Sequence, residues 1–180
     1  MRLYVCLLLL GAGCLPAQHQ VTLSVGWGEQ ISFYPTDRRT APVLGASYGY
    51  RPRKWLQVEA GVLTALQPGQ TLCNAHDCFN PDDRYLWVPL GVRFVAPWKR
   101  VELSAGGGGL YELYSVSNGG SSISFSPYHY NAWGGYFVGG AAVKVTRHFW
   151  VGATPRFPLA NRTHIRDHWF TITGDVSFRF

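Results

Sequence analysis

At 180 residues the chain has room for a single core, and its composition, 15% aromatic but only 14% charged with 21 glycines, does not suit an ordinary soluble enzyme. Hydrophobic residues reach 47%, yet beyond the N-terminus they never form the apolar run of roughly 18 residues that a membrane helix needs. The formal net charge of +6 comes mostly from residues in turns and loops.

Residues 1–17 read as an export signal: Arg2 supplies the charge, Leu3 to Leu10 the apolar core, and small residues lead to a cut near Ala17. Gly11-Ala12-Gly13-Cys14 partly fits a lipidation site, so a lipidated Cys14 is the rival reading. Residues 18–180 then form the mature domain. Cys6 and Cys14 fall in or near the signal, which leaves Cys73 and Cys78. In an oxidising compartment so close a pair reads as a disulfide, with reactive thiols or half of a metal site as alternatives.

Eight segments of period-two alternation follow. The first, about Gln20 to Gly28, sets Val21, Leu23, Val25 and Trp27 against Thr22, Ser24, Gly26 and Gly28. The second, Val43 to Arg51, sets Leu44, Ala46, Tyr48 and Tyr50 against Gly45, Ser47, Gly49 and Arg51. The third, Trp55 to Leu66, opposes Val58, Ala60 and Val62 to Gln57, Glu59 and Gly61. In the fourth, Tyr85 to Ala96, Leu86, Val88, Leu90, Val92 and Phe94 oppose a face with Gly91 and Arg93. The fifth, Val101 to Tyr114, runs through Gly106, Gly107, Gly108 and Gly109, which mark a bend or a close backbone approach. No helix start or phosphate-loop Lys follows them. The sixth, Ala132 to Val145, the seventh, Phe149 to Arg156, and the eighth, Trp169 to Phe180, repeat the alternation.

Nearly every charged residue inside a segment shares its face with glycines and hydroxyls, while Leu, Val, Phe and Trp occupy the other. Small polar residues suit the crowded inside of a narrow barrel, and bulky apolar ones suit lipid, with aromatics near the ends as girdles. Short connections at Arg51 to Lys54, Ala96 to Lys99 and Thr146 to His148 alternate with long ones at Glu29 to Pro42, Gln67 to Arg84, Ser115 to Asn131 and Phe157 to His168. The pattern predicts an all-β fold, an eight-stranded antiparallel up-and-down transmembrane β-barrel whose closure satisfies every backbone group in the bilayer.

The last residues, Val176, Phe178 and Phe180, resemble the aromatic signal read by the outer-membrane assembly machinery, and the whole mature pattern resembles the small eight-stranded bacterial outer-membrane barrels of the OmpA membrane-domain and OmpX type. The resemblance implies a place in the outer membrane with both termini periplasmic. Its implied partners are outer-membrane lipid and lipopolysaccharide, together with the assembly machinery during biogenesis; no nucleic acid and no cofactor are expected.

Glu59, Arg93, Glu102, Glu112, Lys144, Arg156, Asp175 and Arg179 map to the inward face, four acids and four bases. Eight strands leave an interior just wide enough for side chains, so these charges are expected to pair as a lumen network instead of lining a channel. No catalytic residue is assigned. One lipid A deacylase family of such barrels carries His-x-Ser on a strand, but here His129-Tyr130-Asn131 lacks the nucleophile, and Ser126 is one loop serine among several. His164, Asp167 and His168, and His76 with Asp77, read as solvent-facing loop residues, and no metal is assigned. Asn161-Arg162-Thr163 carries no weight as a glycosylation acceptor in a bacterial loop.

The loops combine aromatics with cations, as Phe33 and Tyr34 with Arg38 and Arg39, or Phe125, Tyr128 and Tyr130, and this makes them the expected functional surface. The expected role is surface or structural: loop-mediated binding of an unidentified ligand, or envelope integrity. The alternatives are a narrow channel for small or hydrophobic solutes, which requires the glycine-rich fifth and sixth segments to leave a gap, a lipid A-modifying enzyme, and a soluble secreted ligand-binding barrel.

Overall fold

The computed structural model describes residues 18–31, 39–67, 72–73, 78–79, 81–118, 128–160 and 168–180. Ten strands are present among them: β1 (Gln18–Ile31), β2 (Arg39–Arg53), β3 (Leu56–Gln67), β4 (Leu72–Cys73), β5 (Cys78–Phe79), β6 (Pro81–Trp98), β7 (Val101–Asn118), β8 (Tyr128–Lys144), β9 (Phe149–Ala160) and β10 (His168–Arg179). Eight of them close a barrel in the order β1-β10-β9-β8-β7-β6-β3-β2, each antiparallel to its neighbours, while β4 and β5 form a separate small ladder.

Closure depends on the seam between β1 and β10, in register from Gln20 opposite Arg179 to Ile31 opposite His168. His19 and Phe180 extend the seam by exchanging backbone hydrogen bonds at 2.9 and 3.0 Å. No barrel strand is left as an edge, so the backbone can cross hydrocarbon without unpaired groups.

The side-chain pattern inverts that of a water-soluble barrel. Leu23, Leu90 and Phe137 are more than 60% exposed on the outer face, whereas Arg156 is 4% and Glu59 5% exposed inside. Aromatic rings mark both ends of the outer band. Trp55 stacks on Phe94 near the short turns, with ring centres 6.1 Å apart, and Tyr111 packs on Trp133 toward the long connections, at 4.6 Å. Such girdles belong at the two lipid–water interfaces.

The strands run further toward the long connections than the alternation shows, because β6 and β7 remain paired out to Pro81 opposite Asn118. Pairing there continues among polar residues, past the level at which lipid demands an apolar outer face. Nor does the alternation predict the β4–β5 ladder, which sets Cys73 opposite Cys78 in backbone register.

The inversion yields a direct test. Leu90→Arg puts a cation on the lipid face near the middle of β6 and should destabilise the barrel by about 2–4 kcal/mol in urea unfolding from lipid vesicles. In a water-exposed position the same change would stay within about 0.5 kcal/mol.

Candidate functional site

Inward-pointing residues fill the barrel in two layers. Nearest the short turns, Glu102 on β7 binds two guanidinium groups, with Arg51 Nη2 at 3.0 Å and Arg179 Nη2 at 2.6 Å from its Oε2. Gln20 accepts from Arg179 Nε at 2.9 Å and from Arg51 Nη2 at 3.3 Å, and Gln57 accepts from Arg51 Nε at 2.8 Å. The Arg179 guanidinium also lies 3.8 Å from the centre of the Trp150 ring.

Deeper in, Arg93 Nε lies 2.6 Å from Glu59 Oε2. Asp175 accepts from Thr154 and, at 2.9 Å, from Thr173, which in turn accepts from Arg156 Nη1 at 2.8 Å. Among the described residues the interior thus holds four arginines, 51, 93, 156 and 179, and four carboxylates, 59, 102, 112 and 175. A cavity of about 50 Å³ remains in this layer, room for only a few waters.

The second layer, toward the long connections, is apolar and corrects the expectation of a polar interior throughout. Val43, Leu63, Tyr85, Trp87, Leu110, Tyr136, Val138 and Trp169 form one buried cluster. Trp87 and Trp169 are fully covered and meet edge to face with centroids 5.5 Å apart, while Tyr85 touches both rings and Tyr114. Glu112 belongs to this layer, where it accepts from Trp87 Nε1 at 2.7 Å, and not to the charge cluster below.

Tyr136 joins the layers by donating to Glu59 Oε1 at 3.1 Å. It occupies the space left by Gly91, where an added Cβ would sit 2.5 Å from the Tyr136 hydroxyl. A Cβ at Gly106 or Gly108 would collide with the β6 backbone. Gly91, Gly106 and Gly108 therefore accommodate a tyrosine and a close strand approach, and the space they leave is occupied, whereas a Cβ at Gly109 would meet nothing within 4 Å.

Lys144 stands apart from the other lumen charges. It shares their parity but is exposed at the turn end of β8. Arg51, Gln20 and Gln57 are central to the network yet absent from the expected lumen set. The signal for Arg51 was available, since alternation sets it with Gly45, Ser47 and Gly49, but its nearness to a turn masked it. Val176, Phe178 and Phe180 lie on the outer face of the β10 end, half exposed.

Toward the long connections a concavity of about 690 Å³ crosses the outer side of β3, β6, β7 and β8, where Thr64, Leu86, Leu113 and Asn131 line it together with Arg84, His129, Tyr85, Tyr114 and Tyr130. Within His129-Tyr130-Asn131, Asn131 donates to Tyr111 Oη at 3.0 Å. Ser126, His76, Asp77, Asn161, His164 and Asp167 lie outside the described residues, and so does the side chain of His168. Among the described residues no group of three His, Cys, Asp or Glu side chains could hold a metal ion.

Several solved structures share this architecture. Neisserial surface protein A superposes with a TM-score of 0.70 at 14% identity, covering 94% of this chain and 100% of its own. Ail, the attachment invasion locus protein of Yersinia pestis in complex with the heparin analogue sucrose octasulfate, gives 0.67 at 12%, covering 92% and 100%. A major outer membrane protein of Thermus thermophilus gives 0.63 at 12%, also covering 92% and 100%. No curated protein sequence matches the chain. The family model of the outer membrane protein beta-barrel domain matches residues 5–180, nearly the whole chain, and the protein belongs to that family of the bacterial outer membrane.

Proposed function

We propose that the chain is a plugged, non-conducting barrel whose role is to hold its long connections and loop-end cleft at the cell surface for binding. The observation that carries this reading is the filled lumen: charged groups held by ion pairs or threonine hydroxyls below, tryptophans packed above, and about 50 Å³ left over in the charged layer. The loop-end cleft with Arg84, His129 and tyrosines is the candidate contact surface, since rings and cations dominate recognition. Ail carries a heparin analogue in its solved complex. Here the four long connections, 32–38, 68–80, 119–127 and 161–167, balance Arg38, Arg162 and Arg166 against Asp37, Asp77 and Asp167, so their charge does not by itself favour a polyanion.

In this reading residues 1–17 are removed on export, and the turn end with both strand termini faces the periplasm. Val176, Phe178 and Phe180 serve assembly from their positions on the outer face of β10. The register that opposes Cys73 and Cys78 supports a disulfide between them.

The plug has two measurable consequences, and the cysteine pair a third. The chain reconstituted in a planar bilayer should show no discrete conductance steps, and regular steps would replace the plugged reading with a conduit. Glu102→Gln leaves two buried guanidiniums without their carboxylate and should cost roughly 2–4 kcal/mol of unfolding free energy, lost as a lower urea midpoint. Alkylation before and after reduction should give a mass difference of two blocked thiols at Cys73 and Cys78; equal masses would exclude the disulfide.

A further inference from the structure

The charge of the chain is concentrated at one end. The three short turns carry Arg53 and Lys54, Lys99 and Arg100, and Lys144 and Arg147, and between Pro52 and Leu56, Pro97 and Val101, and Lys144 and Phe149 there is no acid. The interior arginines and carboxylates cancel, the long connections cancel, and Arg2, Arg39 and Arg84 are offset by Glu29, Asp82 and Asp83, so these six cations match the whole formal charge of +6.

Five of the six cations, all but Arg100, fall into two sets. Lys54, Lys99, Lys144 and Arg147 line a concavity of about 670 Å³ at the mouth of the barrel, with Arg51 and Arg179 at its floor, and among the described residues Glu102 is the one acidic side chain in its wall. None of the four rim cations forms an ion pair with a described residue. Arg53, by contrast, turns to the perimeter, its guanidinium 5.6 Å from the ring centre of Trp55. Lys99 holds its place at φ 56°, a left-handed conformation that glycine adopts with less strain.

We propose that this mouth is a binding site for a compact polyanion, a molecule or polymer end carrying clustered phosphate or carboxylate groups, that enters along the barrel axis from the turn side. Cations converging on a concave, low-dielectric wall focus their field into the space between them, and one ligand can meet charges from three turns together. Lipid headgroups would surround the barrel, where Arg53 points. That the ligand comes from the periplasm rests on the orientation proposed above; the binding itself does not.

Isothermal titration of the chain in dodecylmaltoside micelles with inorganic tripolyphosphate tests the site, since both ends are then accessible whatever the orientation. Saturable binding is expected, weakening as salt rises. The combined variant Lys54→Gln, Lys99→Gly, Lys144→Gln and Arg147→Gln should bind more than about tenfold more weakly, with each exposed cation contributing a small factor. Arg53→Gln should stay within about twofold of the unaltered chain. The urea midpoint of each variant checks that the barrel has folded, and relief of strain at Lys99 favours that. Absence of saturable binding overturns the proposal, and so does equal weakening in the two variants. Binding seen only with phosphatidylglycerol vesicles, and lost in Arg53→Gln, would assign the cations to the lipid perimeter and overturn it too.

Discussion

The structure depends on the narrowness of an eight-stranded barrel in a medium that accepts no unpaired backbone group. Closure between β1 and β10 is required by lipid, and closure at eight strands leaves a lumen with no room for bulk water. Inward polar side chains are then satisfied mostly by other inward side chains, although Trp169 Nε1 is buried with no hydrogen-bond partner among the described residues. Glu102 illustrates the constraint, because one carboxylate on β7 gathers arginines from β2 and β10 and so ties together strands that are not neighbours in the sheet.

The layering of the lumen follows from what each end faces. Near the turns, arginines on short strand ends reach carboxylates at the same height, and hydroxyls from Thr22, Thr154, Thr173 and Ser177 fill the gaps between them. Toward the loops the interior is closed with apolar bulk: Trp87 and Trp169 cross edge to face, and Gly28 leaves the space in which the Trp169 ring lies. Apolar packing there avoids the cost of burying further charge, which an ion pair does not always offset. Tyr136, with its ring among the apolar residues and its hydroxyl on Glu59, is the side chain that both layers share.

The outward face was legible in the sequence because lipid imposes a strict rule on it: Leu23, Leu90 and Phe137 sit where alternation places them. The inward face obeys a weaker rule, that volumes fit, and a tryptophan fits as well as an arginine where a glycine stands opposite. Tyr85 and Trp169 begin their segments, so no alternation preceded them to fix their side, and the apolar layer went unread. The four-glycine run of β7 was legible as a close approach but not as to what approaches, since Tyr136 comes from the next strand and the Gly91 it covers from the one before. Arg51 was lost to its position beside a turn, although its parity pointed inward.

Charge separates into three zones with different work. Interior charges are matched, which suits a wall that must not attract ions into the membrane. The connections on the loop side are balanced in sequence, leaving recognition there to shape, rings and hydrogen bonds. The turn side alone is unbalanced, and its cations stand on or beside the three shortest connections between barrel strands, where the chain has least freedom to rearrange. Charges fixed in that way cannot spread apart to relieve their repulsion as loop residues can. The repulsion is therefore held at a rigid rim, and a counter-charge arriving there relieves it without first having to order a flexible segment.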